Sequence, residues 1–137
     1  MLTCGRGTPL VVKTSAANVN DITEFVPVID AVPAVKGRRG RPRQRPREVY
    51  GDRAYHSRKA RLEMRRRRIK TRVAWPTDPH GSGLGKKRWV VERTISWLHQ
   101  YRRLRVRYER RADIHEALVT IGCCLICFKQ LEAGESL

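Results

Sequence analysis

The chain reads as an α/β protein in which helices pack a small sheet, and three observations predict this. Short runs rich in β-branched residues fall at Thr8–Thr14, Glu48–Tyr50 and Ile69–Ala74. Between and after them, apolar residues return at helical spacing, and clusters of Gly, Pro, Asn and Asp mark the joints. The resulting order is β, α, β, α, β, α, α, the alternation expected when helices cover a sheet. At 137 residues the chain is one domain or a fragment of one.

The first strand follows a Gly-rich turn at Gly5-Arg6-Gly7, and only Leu2-Thr3-Cys4 precedes it to supply a partner. Ile22, Phe25, Val28, Ile29 and Val32 recur at helical spacing behind Asp21-x-x-Glu24, a capping-box pattern. Pro27 fits that helix only if the helix starts late and places the proline in its first turn. Ser57 opens a second helix through about Arg67, with Ala60 and Met64 inward. Ile69, Thr71 and Val73 alternate onto one face of a third strand, and 75–87, with two prolines and three glycines, is loop. A helix from Lys86 to Tyr101 follows. Leu104, Val106 and Tyr108 alternate with Arg103, Arg105 and Arg107, which predicts an extended basic segment. Asp113-x-x-Glu116 then caps a helix stepping through Ile114, Leu118, Ile121, Leu125 and Phe128. It is apolar nearly all round, so burial is expected.

Charge is the outlying property. Thirty Lys and Arg stand against 13 Asp and Glu, a formal net charge of +17. A compact chain so charged repels itself unless polyanions neutralise it, which makes nucleic acid the natural partner. An anionic membrane surface is the rival. It is disfavoured because the basic residues do not line one face of a single amphipathic helix. The sequence has no run of 18 apolar residues and no signal-peptide pattern at its start, so a soluble, cytoplasmic protein is expected. Cys4, Cys123, Cys124 and Cys127 do not form a disulfide framework, and Cys124-x-x-Cys127 lacks the second pair that zinc would need. They read as core residues.

Three stretches carry chemistry. Lys36 to Arg47 is dense in Gly, Pro and Arg and reads as a flexible basic loop. Arg38, Arg39, Arg41 and Arg43 are its candidate phosphate contacts. Arg65, Arg66 and Arg67 on the Ser57 helix make a second basic surface, with Lys86 and Lys87 a third. Asp52 sits where a strand runs out into a loop. That position suits a turn-forming aspartate and equally a metal-binding carboxylate. On the Lys86–Tyr101 helix, Arg88, Glu92, Ser96 and His99 share one face. The pair Arg88 and Glu92 is either a surface salt bridge at i, i+4 or a metal-binding carboxylate held by an arginine. His80, in the loop, is a solvated side chain or a ligand.

Four pieces of sequence together resemble the C-terminal part of DDE-class insertion-sequence transposases of the IS-five and IS-four-like group. Gly7-Thr8-Pro9-Leu10-Val11-Val12 through Ala17-Asn18-Val19-Asn20-Asp21 resembles that family's strand and loop before its first large helix. Gly51-Asp52-Arg53-Ala54-Tyr55 resembles its second-aspartate motif, and Arg88-Trp89-Val90-Val91-Glu92-Arg93 its glutamate motif. Leu104-Arg105-Val106-Arg107-Tyr108-Glu109 resembles the segment after it. The signature's opening tyrosine would fall on Gly85, so that element is missing, and His56 stands where relatives often have an acidic residue.

The resemblance implies an incomplete RNase H-like domain over residues 1–132, with residues 133–137 a disordered tail. It implies a catalytic set of Asp52, Glu92, Arg88 and His99, in which Asp52 and Glu92 bind Mg²⁺ (or Mn²⁺). Arg88 would orient Glu92 or contact phosphate, and His99 would bind phosphate or relay a proton. The family's first aspartate lies on a strand upstream of the region matching Leu2–Thr14, so an upstream polypeptide is the expected source of it. The expected activity is metal-dependent DNA cleavage and strand transfer at element ends and target, with a homo-oligomer as a further possibility. A catalytically inactive DNA-binding fragment is the alternative.

Overall fold

A computed structural model describes residues 1–16, 18–36, 40–78 and 85–134, with side chains of the third helix described from Trp89 onward. Arg38, Arg39 and His80 therefore lie outside the described residues, as do residues 135–137 of the expected tail and the side chains of Lys86, Lys87 and Arg88. The chain forms two units, Met1–Thr14 with Trp89–Leu137, and Ser15–Arg88. Helices and small sheets mix as the α/β reading expects, with two two-stranded sheets among the described residues.

In the first unit, β1 (Leu2–Thr3) pairs antiparallel with β2 (Pro9–Val11). Helix α3 (Gly85–Leu98) enters this unit at Trp89. It buries Val90, Thr94 and Leu98, spaced by four, and Thr94 has no exposed surface at all. A buried threonine needs a hydrogen-bond acceptor. Its hydroxyl finds two, the carbonyls of Gly7 at 2.7 Å and Val90 at 3.0 Å. One proton serves both, with the shorter contact to Gly7 dominant. Gly7 has a φ of +89°, and a Cβ there would lie 3.0 Å from the Arg93 guanidinium and 3.1 Å from the Thr94 hydroxyl. Arg93 itself donates to the Arg6 carbonyl at 2.6 Å. The hairpin turn is thus bolted to α3 by two consecutive helix residues.

Helix α4 (Arg102–Arg105) replaces the first part of the expected extended segment. The reason is tertiary. Gly122 of α5 (Ala112–Glu132) leaves room for Leu104 and Leu98, whose methyl carbons lie 2.8 and 2.9 Å from where a Cβ would stand. One helical turn delivers Leu104 there, whereas Val106 and Tyr108 remain exposed. Arg103 pairs with Glu109 at 3.0 Å, and the Arg107 side chain donates to the Glu109 carbonyl at 3.0 Å. Leu98, Cys123 and Ile126 form this unit's core cluster.

Two expectations for α5 are corrected. Asp113 and Glu116 make no capping box: the N-cap is Arg111, which chelates Asp113 at 3.1 and 2.6 Å, while Glu116 accepts from the Thr14 hydroxyl. Nor is the helix buried all round. Gly122, Cys123 and Ile126 are buried, but Ile114, Ile121, Cys124, Leu125, Phe128 and Leu131 are exposed. By length and composition alone α5 would suffice to cross a membrane. Asp113, Glu116, Lys129 and Glu132, together with its packing on Leu98, fit a helix of a folded core better. Among the cysteines only Cys123 is fully buried, which pushes its thiol pKa up to about 11.

In the second unit, α1 (Ile22–Asp30) starts at once and carries Pro27 in its interior, contrary to the late start expected. The proline removes the amide that would donate to Thr23. Burial of Phe25 and Ile29 and the bond from Ala31 N–H to the Pro27 carbonyl hold the helix regardless. Asp21 is its N-cap but makes no side-chain cap; Asn20 does that work, accepting from the Ile22 N–H at 3.2 Å. Strand β3 (Glu48–Gly51) and β4 (Lys70–Val73) run parallel, joined through α2 (Arg58–Arg66), whose N–H at Ala60 is capped by Ser57 as expected. Val49, Ala60, Met64, Ile69 and Val73 close the core between them. Helix α2 ends with Arg68 at φ +58°, the left-handed position usually given to glycine, so that buried Ile69 can bond back to the Met64 carbonyl. In the basic stretch, Val35 and Arg43 exchange two backbone hydrogen bonds of 2.9 Å, closing the loop at its base.

Arg67 ties the helices together. It donates to both oxygens of Asp30 at 2.9 Å and to Glu63 at 2.7 Å, and these bonds hold both carboxyls below their usual pKa.

Two outcomes are expected. Thr94→Val leaves the Gly7 carbonyl without its donor and should cost roughly 1–2 kcal/mol in urea unfolding. Gly7→Ala, forced into a left-handed backbone, should cost at least about 1 kcal/mol. Because both act on one contact, the double variant should lose less than the sum, and strict additivity would contradict the bolt. Depressed carboxyl pKa values give stability that is present above about pH 4 and lost as pH falls through the folded values. Arg67→Ala should therefore lower the melting temperature at neutral pH and flatten its decline between pH 5 and 2.

Candidate functional site

Asp52 is positioned by the end of β3. Its backbone is still extended, and its carboxylate accepts from the Arg53 N–H at 2.5 Å, capping the 3-10 turn Arg53–Tyr55. The C-terminal ends of parallel strands leave a crevice where side chains reach open space while the sheet fixes their backbone. Five further residues gather at this end of β3 and β4. Arg53 donates to the Asp78 carbonyl at 2.6 Å, and Asp78 in turn accepts from the Trp75 N–H at 2.7 Å. The Trp75 ring meets the His56 ring at 4.6 Å and the Arg61 guanidinium at 4.6 Å, while Arg61 also donates to the Val73 carbonyl. The loop leaving β4 is thereby pinned beside Asp52.

His56 is a ring packed on tryptophan, with a buried Nε2 that has no hydrogen-bond partner among the described residues. Tyr55 packs on Phe25 at 5.7 Å. Burial raises its phenol pKa, and the carboxylates of Asp21 and Asp52 add to the effect.

Glu92 is set by the opposite face of its helix. At 100° per residue, Thr94 points almost directly away from Glu92, whereas Ser96 and His99 point the same way as Glu92. Bolting Thr94 inward therefore turns Glu92, Ser96 and His99 out to solvent, and all three are exposed. Arg93 lies between two helix neighbours, 4.4 Å from the Trp89 ring and 4.8 Å from the Trp97 ring. This stack was not anticipated from the sequence, although tryptophans four residues either side of an arginine are its legible signature.

Of the expected phosphate contacts, Arg41, Arg43, Arg65 and Arg66 are exposed. Arg67 is corrected: its guanidinium is occupied by Asp30 and Glu63, so it joins α2 to α1 instead of presenting charge outward. Asp52 stands in the second unit and Glu92 in the first. No group of three or more His, Cys, Asp or Glu side chains that could hold a metal comes together among the described residues. Carboxylate oxygens suit a hard divalent cation, but the donors found here do not complete a site.

The sequence profile of the transposase DDE domain matches residues 1–127. A Burkholderia cepacia protein described as "Putative transposase for insertion sequence element IS402" is 53% identical over 135 residues, 98% of this chain. The chain covers 64% of that relative's length, short of two thirds. No solved structure matches. Such domains are RNase H-like and generally depend on divalent metal. With a profile match over all but its last ten residues and a relative more than half identical, the chain belongs to the transposase DDE domain family.

Proposed function

We propose that this chain forms the C-terminal part of an insertion-sequence transposase that cleaves and joins DNA, with residues 1–132 one incomplete RNase H-like catalytic domain. The observation that carries the reading is Asp52 at the end of β3 and Glu92 on the outward face of α3, both within the residues that the family profile matches. In this reading Asp52 and Glu92 are two of three metal-binding carboxylates. The third comes from an upstream polypeptide bearing the family's first aspartate. Bound divalent ions supply an activated water or DNA 3′-OH and stabilise charge at phosphorus. Arg88 orients Glu92, and His99 binds a phosphate one turn further along the same face.

DNA is the partner the charge requires, and the protein works in the cytoplasm, where bacterial DNA is. Arg41, Arg43, Arg65 and Arg66, with Lys86 and Lys87, neutralise backbone phosphates without reading sequence. The absence of a three-ligand group among the described residues favours a second reading for the isolated chain, a basic DNA-binding fragment without catalysis.

With the upstream polypeptide co-expressed, Asp52→Ala or Glu92→Ala should abolish Mg²⁺-dependent cleavage of element-end DNA and leave salt-sensitive binding nearly intact. Wild-type cleavage by either variant removes the assignment. Affinity should fall steeply with salt, and Arg41→Ala or Arg65→Ala should each reduce the log–log slope by about 0.9. Arg67→Ala should leave that slope unchanged, because its charge is already spent on Asp30 and Glu63.

A further inference from the structure

Arg68 stands where the backbone asks for glycine. Among the described residues it is the one non-glycine with a positive φ, +58°, while Gly7, Gly40 and Gly134 occupy the other such positions. Helix α5 supplies an internal comparison. Its C-cap is Ala133, and Gly134 follows at φ +74°, with its N–H bonded back to the Leu131 carbonyl at 3.0 Å. Arg68 holds the same place after α2: the C-cap is Arg67, and the Arg68 N–H bonds back to the Arg65 carbonyl at 3.0 Å. In this left-handed backbone a side chain brings its Cβ against the following carbonyl oxygen, a strain that glycine escapes. Two helices end in one geometry, and only α2 places a side chain there.

Nothing that Arg68 does within the fold offsets that strain. Its side chain is exposed and makes no hydrogen bond or ion pair among the described residues. A cation does suit a helix C-terminus, whose free carbonyls carry partial negative charge. Arg67 already fills that role, donating to the Glu63 carbonyl at 3.2 Å from a backbone of negative φ. The neighbouring carboxylates are committed as well, Glu63 to Arg66 and Arg67, Asp30 to Arg67, and Glu48 to Arg72. Arg65, Arg68 and Lys70 are left as a patch of uncommitted, exposed charge where α2 ends and β4 begins.

We infer that Arg68 grips the phosphate backbone of DNA, with Arg65 and Lys70 beside it, and that this contact is why the turn after α2 carries arginine in place of glycine. Because β3 and β4 run parallel, the patch lies at the opposite end of the strands from Asp52, roughly 13 Å away over four residues. The contact therefore belongs to DNA flanking the reacting phosphodiester and not to the reaction itself. The inference rests on the DNA-binding reading above and adds to it a residue held in place at the expense of stability.

The test compares Arg68→Gly, Arg68→Asn and Arg68→Lys in the full chain. Thermal unfolding is measured without DNA, and binding to a short DNA duplex of arbitrary sequence is measured across a salt series. Glycine and asparagine both accept the left-handed backbone, and neither carries charge. Each should raise the melting temperature, glycine by about 2–4 °C, and each should reduce the log–log salt slope by about 0.9. Arg68→Lys keeps both the charge and the strained backbone, so both readouts should stay at their wild-type values. A residue of purely structural importance would shift the melting temperature and leave the slope alone. Arg68→Gly that melts higher but keeps the wild-type slope overturns the inference, and so does Arg68→Gly that binds more weakly without melting higher. In either case Arg65→Ala still lowers the slope, and the DNA reading stands. Binding that ignores salt in every variant removes the DNA reading, and this inference with it.

Discussion

The contact between the Thr94 hydroxyl and the Gly7 carbonyl decides more than any other in the first unit. A helix with valine, threonine and leucine inward could rotate by tens of degrees and still bury apolar surface, since hydrophobic burial has no direction. A hydrogen bond of 2.7 Å from a fully buried hydroxyl does have direction. It fixes which residues of α3 look outward, and it does so through a turn that only glycine can make. Arg93, one residue earlier, adds a second fixed point and is steadied by the two tryptophans it lies between. The face that carries Glu92, Ser96 and His99 is thus specified by residues on the far side of the helix.

Acidic side chains are scarce in this molecule, and their placement shows what the fold most needs. Asp30 and Glu63 hold Arg67 between α1 and α2, Glu109 gathers the turn after α4, and Asp113 fixes the N-cap arginine of α5. Exposed ion pairs of this kind contribute little individually. Their larger effect is to decide which arginines are committed and which keep their charge for a polyanion. Arg67 is committed, while Arg65 beside it is exposed, a distinction that counting charges along α2 does not reveal.

Most of the fold was legible because its elements obey their own periods. The Ser57 cap, the inward Ala60 and Met64, the alternation of β4 and the partnering of β1 with β2 all follow from local rules that tertiary structure then respects. The failures share one cause. Leu104 was read from alternation as extended, but a glycine 18 residues later offered it a niche that one helical turn reaches. The same holds for Pro27, held inside a helix by what Phe25 and Ile29 bury, and for Asp113, drawn from capping to Arg111. Of the candidate site, the positions of Asp52 and Glu92 at a strand end and on an outward helix face were readable. The Trp75 cluster that pins the loop beside Asp52 was not, because its members come from three separate stretches with no shared period.

On the proposed reading, precision at a reactive centre would come from holding each side chain in place, and Asp52 and Glu92 are each fixed within their own unit by different means. Asp52 is held locally: the sheet sets its backbone, and its own carboxylate caps the turn that follows. The carboxylate is thereby fixed at the strand end where the chain turns away. Glu92 is held remotely, with its rotation set by Thr94 and its carboxylate left to solvent. On the proposed reading, the first aspartate needs only to be delivered on a backbone as well fixed as these two. A strand does that better than a loop, because its ladder of hydrogen bonds fixes every residue along it.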